Sequence, residues 1–385
     1  MEIGLVGKPN VGKSTLFSAL TKAPAEIGDY PFTTIKPNRG VAYVRTPCPH
    51  VAFGKPCNPR NAPCRNGTRL VPVEILDVAG LVPKAHEGRG LGNKFLDDLR
   101  QATCLLHVVD AAGATDEEGR PVPAGSHDPA TDVAFLEEEI AFWIEGILAK
   151  DWEAMKRRFS DPHQKPEKIL AERLTFFGVQ EKHVKHVVEK VGLDAGKLAR
   201  EVRAMTKPIL VVANKADKAA PELVESLRAR FGSIPASADA ELALRKAADA
   251  GVVDYEPGAP DFSIKDEGKL NPRQKQALEF IRANVLAKHG GTGVQPALEK
   301  AVYDLLGLIP VFPVEDETHW TDGQGRVLPD AHLLKKGSTA KDLAFKVHTD
   351  LGEHFVRAID AKTKRVVGAD HELRAGDVIR IVSAK

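Results

Sequence analysis

Hydrophobic and polar positions change period several times along the chain. Residues 3–6 are a short apolar run, followed by a glycine-containing turn and a helix-compatible stretch at 13–22. Val71, Val73 and Ile75 occupy every second position, as in a strand with one buried face, and 104–110 and 208–214 are predominantly apolar runs. Buried strands separated by helical segments predict a mostly parallel sheet covered on both faces, an α/β arrangement. Over 127–206 the period lengthens. Val133, Leu136, Ile140, Trp143, Ile144, Ile147 and Leu148 recur at helical spacing among many Glu and Lys residues, and 182–191 is a second amphipathic stretch. The stripe is expected to be the packed core of a helical hairpin, with the charges as its solvated face. Toward the C-terminus, strand candidates at 327–328, 355–359 and 378–382 surround a helix candidate at 339–351, with turns at Gly337, Gly368 and Gly376. These predict a small separate α+β module.

A length of 385 residues exceeds one core and suggests two to three domains. With 54 basic against 53 acidic side chains, the net charge of +1 gives no overall attraction to nucleic acid or membrane. No apolar run approaches the ~18 residues that span a bilayer. Neither a membrane nor DNA is an expected partner. Met1 leads directly into a strand-like run without a charged leader, and four cysteines are too few for a disulfide scaffold. A cytoplasmic protein is expected.

The chemistry concentrates at the ends of the predicted strands. Gly7-Lys8-Pro9-Asn10-Val11-Gly12-Lys13-Ser14 fits G-x-x-x-x-G-K-[ST] between a strand and a helix. In such a loop the backbone N–H groups turn inward around a β-phosphate, Lys13 neutralises β- and γ-phosphate oxygens, and Ser14 gives its hydroxyl to Mg²⁺. Val11, Gly12 and Thr15 complete the candidate phosphate contacts. Asp77-Val78-Ala79-Gly80 closes the strand through 71–76, which suits Asp77 to Mg²⁺ and Gly80 N–H to a γ-phosphate. Asn214-Lys215-Ala216-Asp217 closes the run 209–213. A carboxylate there accepts from guanine N1–H and the 2-amino group, two donors that adenine lacks. The alternative for Asn214 or Asp217 is a helix N-cap. Ser237 and Ala238 would face guanine O6.

In this order the motifs match the GTPase signature of the translation-factor-related class. Asp29-Tyr30-Pro31-Phe32-Thr33-Thr34 with Pro37-Asn38-Arg39-Gly40 resembles the first switch of the Obg family. Asp77–Leu81 with His86-Glu87-Gly88-Arg89-Gly90-Leu91-Gly92-Asn93 resembles the second switch of its YchF relatives, also known as Obg-like ATPases. Leu328-Pro329-Asp330-Ala331, Lys336-Gly337-Ser338-Thr339, His348–Gly352 and Arg374–Val378 resemble a TGS domain of β-grasp type. The resemblance implies a P-loop GTPase domain (1–126 and 207–308), an inserted α-helical arm (127–206) and a C-terminal TGS-like domain (309–385). It also implies a Mg²⁺-dependent GTPase acting as a GTP/GDP switch with a ribosome or RNA partner. The alternatives are an ATPase of YchF type or a GTP-sensing ribosome- or RNA-binding module with negligible hydrolysis.

Two features depart from common patterns. The YchF branch prefers ATP and carries a degenerate base motif, whereas Asn214, Lys215 and Asp217 are intact here, which predicts guanine selectivity. Leu81 occupies the position where many GTPases place a water-orienting glutamine. His86 is then the nearest candidate catalytic base, the alternative being a loop histidine without a role. Asn10 is either a site for K⁺ beside the phosphates, as in resembling GTPases, or only a turn residue. Thr34 is the choice for Mg²⁺ and γ-phosphate in the first switch, with its neighbour Thr33 the alternative.

Cys48, His50, Cys57 and Cys64 lie between the first switch and the Asp77 strand. Their number suits a tetrahedral zinc site, although the spacing lacks a C-x-x-C knuckle; free thiols or a redox-sensitive pair are the rivals. Cys104 is expected in the core. Lys362, Lys364, Arg365, Arg374 and Arg380 form a candidate RNA-facing patch without accompanying aromatic residues.

Overall fold

The computed structural model describes residues 2–22, 38–78, 99–161, 163–177 and 179–384, which fall into two compact units. Unit one takes the described parts of 1–22, 37–40 and 74–297; unit two takes those of 41–73 and 298–385. No described helix is long and apolar enough to cross a membrane.

Unit one is built on strands β1 (Glu2–Val6), β5 (Cys104–Asp110), β6 (Ile209–Asn214) and β7 (Ile234–Pro235). Two further strands, β2 (Arg39–Pro47) and β4 (Thr68–Asp77), begin or end in unit one and continue into unit two. The strand order is β2-β4-β1-β5-β6-β7. β1 pairs parallel with both β4 and β5, and β5 with β6 in a register that sets Asp110 opposite Asn214. Ile3, Leu5, Leu105, Leu106 and Val212 are buried, as expected for parallel strands covered on both faces. A short β8 (Val253–Asp254) and β9 (Ser263–Ile264) form a separate antiparallel pair.

The arm differs from the expected hairpin. The described residues of 129–206 form five α-helices, Pro129–Ala149, Trp152–Phe159, Pro166–Leu174, Glu181–Val191 and Ala195–Thr206, with a 3-10 turn at Thr175–Phe177. Asp128 caps the first, accepting from Ala130 N, with Pro129 where a missing N–H costs nothing. The apolar stripe is core, as its periodicity predicted. Ile140, Ile144, Leu148, Leu198 and Val202 are buried in one cluster with Leu76, Val78, Leu99 and Leu105 of the sheet region. The helices therefore bury their faces against the sheet as well as each other.

Unit two carries β3 (Cys64–Arg65), paired antiparallel with β4, and a five-stranded sheet. Its order is β11 (His332–Lys335), β10 (Leu308–Val314), β14 (Val378–Ser383), β12 (Phe355–Asp360), β13 (Arg365–Val367). Helix Ala340–Val347 buries Ala340 and Leu343 against Val311, Ala358 and Ile379. Two expectations change and one strand went unforeseen. Residues 327–328 are not a strand: Val327 makes one bridge to Thr321, Leu328 has φ 46°, and Pro329 follows without a donor. β10 was concealed by Pro310 and Pro313. The predicted helix 339–351 breaks at the extended His348 (φ −160°, ψ 143°), which caps a second helix, Thr349–Glu353.

Candidate nucleotide site and metal cluster

The carboxyl ends of β1, β4, β5 and β6 deliver the P-loop, Asp77, Asp110 and Asn214 to one edge of the parallel sheet, the usual ligand position in an open α/β sheet. The loop's shape requires glycine twice. Gly7 has φ 150° and a Cβ there would lie 2.4 Å from Val108 O; Gly12 has φ 96° and a Cβ would lie 2.3 Å from Asn214 Nδ2. Helix Lys13–Thr21 starts directly after Gly12, leaving its first N–H groups aimed into the loop. Lys13 Nζ donates to Lys8 O at 3.2 Å. Burial pushes the Lys13 ammonium below its usual range and Asp77 opposes the shift. Ser14 is exposed and Thr15 half-buried in the first helical turn.

The base-side motif is wired into the P-loop. Asn214, 2% exposed, donates from Nδ2 to Val11 O at 2.8 Å and accepts from Ala238 N at 3.0 Å, so one side chain joins three loops. Lys215, with φ 60°, donates from Nζ to Asn10 O and to Asp110 Oδ2, both at 2.8 Å. Ser237 Oγ donates to Asp217 Oδ1 at 2.7 Å; among the described residues Asp217 Oδ2 accepts no hydrogen bond. Behind Ser237, whose N–H donates to Thr292 O, the fully buried Glu241 takes hydrogen bonds from Arg245, Tyr255 and Thr292. That network fixes the start of helix Ala238–Asp249.

Three positioning residues escaped the sequence reading. Asp110 is 1% exposed and holds Lys215; its position at the end of an apolar run was the available signal. Lys8, 6% exposed, pairs with Asp132 at 2.8 Å and donates to Thr115 O, tying the P-loop to the first arm helix. Asp132 lies inside a helical stripe, where nothing local marks it. Asn10, with φ 63°, donates from Nδ2 to Gly119 O at 2.9 Å. Thr33, Thr34, Gly80, Leu81 and His86 lie outside the described residues.

In unit two, Cys48, His50, Cys57 and Cys64 come together with all four ligand atoms within 4.8 Å of one another. Cys57 Sγ lies 3.9 Å from Cys48 Sγ and 3.4 Å from His50 Nδ1, and Cys64 Sγ lies 3.6 Å from His50 Nδ1. A metal ion would find three thiols and an imidazole there. Cys104, in contrast, is core: burial pushes its thiol up to about 12. In the basic patch, Arg380 is paired with Glu317 and Lys364 donates to Glu317 O, while Lys362, Arg365 and Arg374 are exposed.

Comparison with known proteins agrees with this architecture. Residues 2–133 match the family described as a 50S ribosome-binding GTPase, 212–316 an Obg-like GTPase G4 motif-containing domain of YGR210-like type, and 324–383 a TGS domain. An uncharacterised GTP-binding protein of Methanocaldococcus jannaschii is 51% identical, with 99% of each chain covered. The chain belongs to the Obg-like P-loop GTPases. Its sheet, P-loop and TGS domain are those of this family. A solved GTP-binding protein from Pyrococcus horikoshii covers 100% of both chains at 43% identity and TM-score 0.79. Another Obg-like relative, from Bacillus subtilis, is named a ribosome-binding ATPase YchF; it is 30% identical, covering 98% of this chain and 97% of its own.

Proposed function

We propose that this Obg-like protein binds GTP and GDP with Mg²⁺, hydrolyses GTP slowly, and serves as a nucleotide-dependent switch on the ribosome in the cytoplasm. The observation that carries the guanine reading is Asp217, held by Ser237 through one carboxylate oxygen with the other left to accept. Guanine offers that oxygen two donors, and adenine would leave it unpaired, a difference of about 2–4 kcal/mol. Lys13 and the P-loop amides hold the phosphates, with Ser14, Asp77 and Thr34 the candidates for Mg²⁺. The metal would neutralise charge developing on the β- and γ-oxygens. Gly80 N–H would sense the γ-phosphate, and His86 would orient or deprotonate the attacking water in place of the missing glutamine. Asn10 already spends its Nδ2 on Gly119 O, which leaves its carbonyl oxygen for K⁺.

The second reading is an ATPase, favoured by the name of the Bacillus subtilis relative. Titration with GTP and ATP decides between them: guanine preference of tenfold or more is expected, and equal affinity overturns it. Single-turnover hydrolysis with and without ribosomes tests the switch. Equal rates in K⁺ and Na⁺ would remove the role of Asn10, and full turnover by His86→Ala the role of the histidine.

For the cluster in unit two, the ion best matched is Zn²⁺. With Zn–S about 2.3 Å and Zn–N about 2.05 Å, a tetrahedron sets S···S near about 3.8 Å and S···N near about 3.6 Å. The observed 3.9, 3.4 and 3.6 Å separations fall close to those values.

A further inference from the structure

Arg69 is an arginine without a conventional reason to be buried. It lies on β4 with no accessible surface, among the largest fully enclosed side chains of the protein. A guanidinium stays protonated even when desolvated, so burying it without an anion costs several kcal/mol. Yet among the described residues no carboxylate is within ion-pair reach of it. Its Nη1 donates to Ala62 O and Leu328 O, its Nη2 to Leu328 O and, at 3.3 Å, to Cys48 Sγ. The Nε has no partner among the described residues, and the aromatic ring of Phe312 lies 5.5 Å from the guanidinium carbon. Carbonyl dipoles and a ring face offset only part of one full charge.

The missing anion is supplied if Cys48 is a metal-bound thiolate. One Zn²⁺ with three thiolates and a neutral imidazole carries a single negative charge. One buried cation beside one ligand sulfur balances it.

The same guanidinium reaches the segment at 327–331. That stretch has almost no regular structure and is held instead by the cysteine loop. Asn58 N donates to Val327 O at 2.9 Å, Arg60 N to Pro329 O at 2.6 Å, and Asn61 exchanges two hydrogen bonds with Ala331. Arg60 pairs with Asp330, and Phe53 stacks on Trp320 with centroids 4.1 Å apart.

We propose that Arg69 is the built-in counter-charge of a Zn(Cys)₃His centre, and that this centre is the clip fastening residues 327–331 to the loop 57–64. The proposal rests on the zinc reading above and on no part of the nucleotide reading. The zinc and its neutralising arginine together hold a stretch whose buried hydrophobic residues are Leu328 and Ala331. Zinc also shields the thiols, so the loop would open when they are oxidised or stripped of metal.

The test uses the full-length protein purified without chelators. Elemental analysis should give about one zinc per chain, and finding none overturns the zinc reading and this proposal together. Next, zinc affinity is measured by competition with a chromophoric chelator for wild type, Arg69→Met and Arg69→Lys. Loss of charge is expected to weaken zinc at least tenfold, with Arg69→Lys retaining most of the affinity. Undiminished affinity in Arg69→Met overturns the counter-charge while leaving the zinc site standing. A Cys48→His background, which makes the centre neutral, guards against a mere packing defect: there Arg69→Met should cost less than threefold, and an undiminished cost overturns the charge argument. Finally, hydrogen exchange is followed at 327–331 after zinc is stripped. Protection should fall at least tenfold there while GTP affinity stays within threefold; unchanged protection overturns the clip.

Discussion

The nucleotide edge of unit one and the cysteine loop of unit two gather their functional groups by opposite means. In unit one each candidate residue sits at or just beyond a strand end: the P-loop after β1, Asp77 on β4, Asp110 on β5, Asn214 on β6. A parallel register aligns those ends, so the site follows from the sheet itself. In unit two the candidate ligands come from just beyond β2, a four-residue helix, an irregular loop and the two-residue β3. No repeating geometry brings them together. What converges them is a set of cross-links between distant residues, with Arg69 at the centre. A scaffold of regular elements makes a site robust to loss of one side chain's contacts, whereas a loop-built site depends on each.

The comparison can be broken most directly at Lys13. Lys13→Ala removes the loop's motif lysine, the other basic side chain there, Lys8, being paired with Asp132. GTP affinity should fall by ~100-fold or more (about 3 kcal/mol) by titration calorimetry while the melting temperature changes little. Loss of fold instead would mean the sheet does not carry the site independently. Acid should act on unit one through a different group. His107 is fully buried and burial, reinforced by Lys13 and Lys8, pushes it down to about 3. Its folded value lies below the unfolded one near 6.5, so the unfolded chain binds the extra proton and stability is lost as pH falls from about 6.5 toward 3. The full effect is on the order of 5 kcal/mol, and His107→Leu should flatten that limb in denaturant titrations. A profile unchanged by the substitution would remove His107 as the source.

Smaller effects sharpen the contrast. Asp110→Asn breaks the pair that holds Lys215 over the P-loop and should weaken GTP and GDP alike, by about 1–2 kcal/mol, leaving their ratio intact. A change in the ratio would mean Asp110 senses the γ-phosphate. Weakest should be Arg60→Ala: its guanidinium is half exposed, and losing the Asp330 pair should cost unit two about 1 kcal/mol or less in thermal stability. A loss comparable to that of zinc removal would make the ion pair, rather than the metal and Arg69, the main fastener.

The sequence was most legible where local pattern and chemistry coincide. The runs at 3–6, 104–110 and 208–214 became strands, and Gly12 before a helix is needed both by backbone sterics and by the close approach of Asn214. It was least legible where one signal masked another. Pro310 and Pro313 concealed β10, and an apolar pair at 327–328 suggested a strand where the backbone turns at Leu328.

The chain by itself determined the alternation of strands and helices, the P-loop motif, and the carboxylate on which the proposed guanine selectivity rests, because these depend on residue type over a few neighbouring positions. Only the tertiary structure decided that Asp110 holds Lys215, that Lys8 is tied to Asp132, and that Arg69 sits beside Cys48 Sγ. Each of these joins residues far apart in sequence, or buries a charge whose partner is set by packing, and no local spacing encodes such a contact.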